Sequence, residues 1–110
     1  MSLSRGEVYL VSPPPGDDPK RARAVVVVSR QTLCDSKADK VSCAPINTNA
    51  DGRSTEVAVG VDDGLKHDSV INCDQLILVP KRVLTNYVGA LSPKKLAALR
   101  DALRIALAVE

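Results

Sequence analysis

Apolar and polar positions follow a two-residue rhythm over much of the first 90 residues and change period only near the C-terminus. Glu7-Val8-Tyr9-Leu10-Val11 alternates, which predicts a half-buried strand. It stops at Ser12-Pro13-Pro14-Pro15-Gly16-Asp17-Asp18-Pro19, where proline removes backbone donors and fixes φ, so no regular strand or long helix passes through. A polar, semi-rigid loop is expected there. Val25-Val26-Val27-Val28 is an uninterrupted β-branched run, the pattern of a strand covered on both faces. Arg30 to Lys40 is polar, with room for one helical turn. Val41-Ser42-Cys43-Ala44-Pro45-Ile46 predicts the next strand, with Pro45 marking an edge or bulge at its end.

Asn47-Thr48-Asn49-Ala50-Asp51-Gly52 reads as a turn, because Asn, Asp and Gly tolerate positive φ. Glu56-Val57-Ala58-Val59 alternates again, and Asp62-Asp63-Gly64 is a second turn. Ser69-Val70-Ile71-Asn72-Cys73 and Gln75-Leu76-Ile77-Leu78-Val79 are two strands or one long bent strand. Tyr87-Val88-Gly89 is a short last one. From Ser92 the spacing becomes helical. Ser92 suits an N-cap and Pro93 the first helical position. Leu96, Leu99, Leu103 and Leu107, with Ala102 and Ala106, form one stripe, while Lys94, Lys95, Arg100 and Arg104 point elsewhere. The pattern predicts a helix of about 17 residues whose leucine face packs on a sheet. Short strands followed by one amphipathic helix give a mainly β, α+β fold. The expected architecture is a small, strongly bent antiparallel sheet or part-open barrel, closed on one side by the helix.

Composition narrows the class. At 110 residues the chain has room for one domain and one modest core. Two tyrosines, with no Phe and no Trp, make that core aliphatic and exclude a platform that stacks several bases on aromatic rings. The net charge of +2 is uninformative, but its distribution is not. Residues 1–40 carry seven basic and five acidic side chains, 41–74 two and six, and 75–110 six and two. Lys20, Arg21 and Arg23 cluster within four residues, either as a phosphate-binding patch or as a solvated loop. Cys34, Cys43 and Cys73 form no C-x-x-C pair, and with His67 as the one histidine no zinc set assembles at known spacings. Cys43 and Cys73 lie in strand-like apolar runs, where a reduced thiol packs as a small core hydrophobe. Met1 to Gly6 has no apolar core of signal-peptide length and no run reaches membrane-span length, so the expected location is cytoplasmic.

Four motifs then suggest a family. Arg5-Gly6-Glu7-Val8-Tyr9, the Pro/Gly loop and Arg23-Ala24-Val25-Val26-Val27-Val28 resemble the R-G-[DE]-[VI]-[YW] … R-P-[VA]-[LV]-V-[IL] pattern of the MazF/PemK toxins. Cys43-Ala44-Pro45-Ile46 resembles their V-x-P-[IC]-T strand end. His67-Asp68-Ser69-Val70-Ile71 followed by Asp74-Gln75 is similar to R-D-[SG]-V-x-x-x-[DE]-Q, and the C-terminal amphipathic helix also matches. Order and spacing agree from about residue 5 to 109, nearly the whole chain.

The resemblance implies an SH3-like, CcdB/PemK-type barrel, spanning residues 1–110 as one toxin domain and forming a homodimer. It implies a metal-free, cofactor-free endoribonuclease that cuts single-stranded mRNA or rRNA at short sequences. The 2′-hydroxyl attacks, leaving a 2′,3′-cyclic phosphate and a 5′-hydroxyl. It also implies a cognate antitoxin whose acidic, extended C-terminal segment covers the groove, and DNA binding by the toxin–antitoxin complex. Two alternatives keep the fold: a catalytically weak or inactive member, or a CcdB-like DNA gyrase poison. The ending Leu107-Ala108-Val109-Glu110 lacks the tryptophan-containing tail that the gyrase poison uses.

Carried onto this sequence, the family's phosphate-acting arginine is Arg23. A guanidinium holds its charge at any working pH and offers fixed donors to phosphate oxygens. The alternative for Arg23 is a salt-bridged strand-edge residue. The family's catalytic Thr falls on Asn47, with Thr48 one place later. Asn47 donates an amide hydrogen bond but no proton, and within a continuing strand Thr48 faces the opposite side. Asn-Thr-Asn is otherwise a plain turn. Ser12, Lys20 and Arg21 on the proline-rich loop are candidate contacts to flanking phosphates. His67, Ser69 and Gln75 match groove positions that read base edges, with His67 alternatively a simple surface residue.

Overall fold

Proline and polar interruptions divide the apolar runs into seven strands, and the computed structural model, which describes residues 3–13 and 15–109, joins them into one antiparallel sheet. The strands are β1 (Glu7–Val11), β2 (Arg23–Val27), β3 (Lys40–Asn47), β4 (Glu56–Val59), β5 (Ser69–Asn72), β6 (Ile77–Pro80) and β7 (Tyr87–Ala90). Among the described residues two helices, α1 (Gln31–Cys34) and α2 (Pro93–Ala106), and three short 3₁₀ turns accompany the strands. The strand order is β4-β5-β3-β2-β1-β7, with β6 also on β3. β3 is therefore the hub. One edge carries β2; the other carries β6 along Lys40 to Cys43 and then β5 at Ile46 and Asn47. A strand that shares one edge between two partners has to bend, and the sheet curls into a half-barrel.

Pro45 sits at the changeover. Val28 N donates to Ser42 O at 3.0 Å, and alternation from there makes Val25–Pro45 a non-hydrogen-bonded pair. The missing N–H of Pro45 thus points to the other edge, between the last β6 partner at Cys43 and the first β5 partner at Ile46. No bond to β2 is lost, so β3 runs past the proline to Asn47 and the expected turn starts one residue later, at Thr48. The doubtful segment after Ser69 resolves into two strands, β5 and β6, separated by a turn at Cys73–Gln75 in which Asp74 N donates to Asn72 Oδ1 at 2.9 Å.

The valine run is covered on both faces, as its composition predicts. Val26 and Val28 join Val8, Ala44 and Ile71 under Leu99, Ala102 and Leu103 of α2. Val25 and Val27 pack on the opposite face with Tyr9, Val41, Cys43 and Val79, closed over by Leu3, Cys34 and Leu84. All three cysteines are free and buried. Burial pushes the Cys43 thiol up to about 12 and the Cys73 thiol to about 11, so both stay neutral core hydrophobes. Among the described residues no helix is long and apolar enough to cross a membrane.

Helix α2 starts as expected: Ser92 Oγ accepts from Lys95 N at 3.2 Å and Pro93 opens the first turn. Its end differs. The helix has 14 residues, and Leu107, placed in the packing stripe by its spacing, is the C-cap and 57% exposed. Val109 N donates to Arg104 O at 2.9 Å and Ala108 N to Ile105 O at 3.2 Å, the paired bonds that close a helix through a left-handed residue. That residue is Ala108, at φ 54°. A Cβ is unfavourable there, so Ala108→Gly is expected to raise the unfolding free energy by about 0.5–1 kcal/mol, read as a higher urea midpoint at unchanged slope.

Candidate active cleft

The proline-rich loop ends in a 3₁₀ turn over Pro19–Arg21. Asp18 builds it: its carboxylate accepts from Lys20 N at 3.0 Å and its carbonyl from Arg21 N at 2.9 Å. The chain then enters β2 at once, so Arg21 and Arg23 both line one cleft of about 340 Å³. Val11, Val25 and Val79, with Pro45 and Ile77, supply its apolar lining. Ser12, Pro13 and Asp17 belong to the loop side. Arg23 is exposed and, among the described residues, forms no ion pair.

Asn47 ends β3, two residues beyond Pro45, the last residue of β3 that pairs with β2. On its other edge Asn47 pairs with Val70 of β5. Thr48 has left the strand and is exposed. It lines a second cleft of about 610 Å³ together with Ser69, Asp62, Asp63, Asp68 and Lys95. That cleft is acidic in character. Its buried Asp63 accepts from Gly60 N at 2.9 Å and lies 3.9 Å from Lys95 Nζ.

The residues singled out by the sequence therefore divide. Ser12, Arg21 and Arg23 share one cleft, and Asn47 lies on β3 two residues beyond the cleft residue Pro45. Thr48 and Ser69 line the other, and the Ser69 hydroxyl donates to His67 O at 3.0 Å. Lys20, His67 and Gln75 are exposed outside both linings, Gln75 standing two residues before the cleft residue Ile77. Asp17 is a cleft residue that the sequence did not single out. The Asp17-Asp18 pair gives no local signal for which carboxylate turns inward. The two tyrosines are committed elsewhere: Tyr9 is buried and Tyr87 meets it edge-on, ring centroids 5.8 Å apart. Among the described residues no three His, Cys, Asp or Glu side chains converge to hold a metal ion.

The family model of PemK-like, MazF-like toxins of type II toxin–antitoxin systems matches residues 4–107. The chain belongs to this family. It is 32% identical over 83 residues to the endoribonuclease MazF3 of Mycobacterium tuberculosis, covering 76% of this chain and 80% of the relative. Among solved structures, the Mycobacterium tuberculosis toxin MazF-mt6 has a TM-score of 0.80 at 27% identity, covering 94% of this chain and 98% of that one. An endoribonuclease from a mycobacterial species, solved in complex with its cognate antitoxin, has a TM-score of 0.83 at 25% identity, covering 99% and 98%. MazF of Deinococcus radiodurans, at 17% identity and a TM-score of 0.74 over 98% of both chains, shares the fold. The MazF/PemK match spans every element from β1 to α2, and the curled sheet with one C-terminal helix is the fold the resemblance implied.

Proposed function

We propose that this MazF/PemK-family protein is a cytoplasmic, homodimeric endoribonuclease toxin that cuts single-stranded RNA in the Arg23 cleft without a metal or cofactor. The observation that carries the reading is an exposed guanidinium with no ion-pair partner among the described residues, set beside Arg21 in a cleft with an apolar lining. In RNA the nucleophile is the substrate's own 2′-hydroxyl. Its attack on phosphorus builds negative charge on the non-bridging oxygens, and the 5′-oxygen departs to leave a 2′,3′-cyclic phosphate. Arg23 supplies fixed N–H donors and a permanent charge to those oxygens. Proton donation by an arginine is costly, its pKa lying above about 12, so its role is charge stabilisation.

Arg21 and Lys20 hold flanking phosphates, each contact adding about 0.7 to the salt slope of binding to a single strand. In this reading Gln75, His67 and Ser69 contact splayed base edges of the single strand. The same basic cleft suits the acidic, extended segment of an antitoxin, a partner class represented by the mycobacterial complex.

Incubating the pure protein with a long single-stranded RNA in EDTA tests this reading. Fragments with cyclic-phosphate and 5′-hydroxyl ends are expected. Intact RNA together with inhibited DNA supercoiling would instead support a gyrase poison. Asn47 favours one variation, a slow enzyme, because an amide cannot exchange the proton that a threonine hydroxyl can. Asn47→Thr is accordingly expected to raise the single-turnover cleavage rate at least about tenfold.

A further inference from the structure

The chain has two aromatic rings, and the fold treats them oppositely: Tyr9 is 2% exposed and Tyr87 54%. An exposed tyrosine carries a flat apolar face and a polar tip, the reason such rings gather at binding surfaces. Tyr87 stands on the sheet face that carries the Arg23 cleft. It pairs with Tyr9 of β1, and Tyr9 pairs in turn with Val25 of β2. Two residues further along, Val11 of β1 pairs with Arg23. Paired residues, and residues two apart on a strand, project from one face, so Tyr87 shares its face with Val11, Val25 and Arg23. All three line the cleft, whose lining contains no aromatic ring. With strands about 4.8 Å apart and a rise of about 3.4 Å per residue, the Tyr87 and Arg23 backbones lie about 12 Å apart across that face. The Tyr87 ring is also braced. Tyr9 meets it with ring planes at 79° and centroids 5.8 Å apart, and the Tyr9 hydroxyl donates to Glu7 Oε1 at 3.1 Å. A ring held this way loses little freedom when something stacks on it.

We propose that Tyr87 is the stacking platform for one base of the single-stranded substrate, on a nucleotide one or two places from the phosphate held by Arg23. The assignment rests on the nuclease reading of the cleft and adds a positioning contact to it. Contacts to phosphates hold a strand's backbone and leave its bases free to swing. A base stacked on a fixed ring sets where the strand lies along the groove, and so which phosphate meets Arg23. A purine offers the ring a larger face than a pyrimidine, so the contact favours A or G at that one position. A single exposed ring accommodates a single base, in keeping with a chain that has no phenylalanine and no tryptophan.

The experiment compares wild type, Tyr87→Phe and Tyr87→Ala on an RNA made uncleavable by a 2′-deoxy sugar at the mapped cut site. A series of the same RNA carries one abasic sugar, moved a nucleotide at a time along the strand. Tyr87→Ala is expected to bind the complete RNA about fivefold to a hundredfold more weakly, the usual effect of losing one stacked base. Tyr87→Phe keeps the ring and should stay within about twofold of wild type. At one abasic position within two nucleotides of the cut, wild type should lose affinity and Tyr87→Ala should lose nothing more, because ring and base are the two halves of one contact. At every other position the losses should be equal in both proteins. A ring that only supports the fold would not produce that position-specific pattern. Equal affinity of Tyr87→Ala and wild type for the complete RNA, or independent losses at every abasic position, overturns the platform. A Tyr87→Ala protein whose light-scattering mass is half that of wild type assigns the ring to a subunit interface and overturns it as well. A wild type that leaves all-ribose RNA intact overturns the nuclease reading and the platform with it, a result distinct from a cutting wild type matched in affinity by Tyr87→Ala.

Discussion

Replacing Arg23 with alanine is expected to slow RNA cleavage by about a hundredfold to a thousandfold, the usual effect of removing one preorganised donor from a developing oxyanion. The fold should not notice. Arg23 is exposed at the start of β2 and bonds no carboxylate among the described residues, so its loss leaves no buried charge unpaired. An unfolding midpoint within about 0.5 kcal/mol of wild type is expected. Arg23→Lys retains the charge but not the planar fork, and should fall between wild type and alanine. Single-turnover rates on one defined RNA, with urea melts of the same preparations, check both halves. Cleavage by Arg23→Ala at the wild-type rate would move the chemistry to another group.

Leu99→Ala is the substitution expected to cost most in stability, about 2–5 kcal/mol. Leu99 is 0% exposed and lies in the cluster that joins α2 to Val8, Val26 and Ile71 of the sheet. Truncation removes transfer energy and leaves a void that sheet and helix are too rigidly packed to fill. Against a typical total of about 5–15 kcal/mol, that is a large share. Ile105, on the same helix but 55% exposed, supplies the contrast, and Ile105→Ala should stay within about 0.5 kcal/mol. Urea denaturation of both variants measures the difference. Because Leu99 and the Arg23 cleft sit on opposite faces of β2, folded Leu99→Ala protein should cut RNA at close to the wild-type rate.

The two clefts explain why the site was only partly legible in the sequence. Arg23 stood out because it belongs to the basic cluster with Lys20 and Arg21 and because the family's motif carries its phosphate-acting arginine onto this position. Thr48 and Asn47 adjoin in sequence but part in the fold: the strand keeps Asn47 and the bend carries Thr48 to the acidic cleft. Asp17 and Asp18 are chemically identical neighbours, and only the hydrogen bonds of the 3₁₀ turn separate their positions.

Local physics determined the strands and helix α2 from residue order alone, because β-branched runs, proline breaks and helical leucine spacing act over a few residues. It also determined that the Cys43 and Cys73 thiols would be buried and the core aliphatic. The end of α2 escaped it, since Leu107 keeps the helical spacing while a left-handed Ala108 turns the chain away. Tertiary structure alone decided that β3 passes Pro45, that Asn47 pairs with Val70 of β5, and which carboxylate lines the cleft. These outcomes depend on register and on the change of partner along β3 from β6 to β5. Pairing between strands distant in sequence is set by the fit of the whole sheet, and no short window of residues contains it.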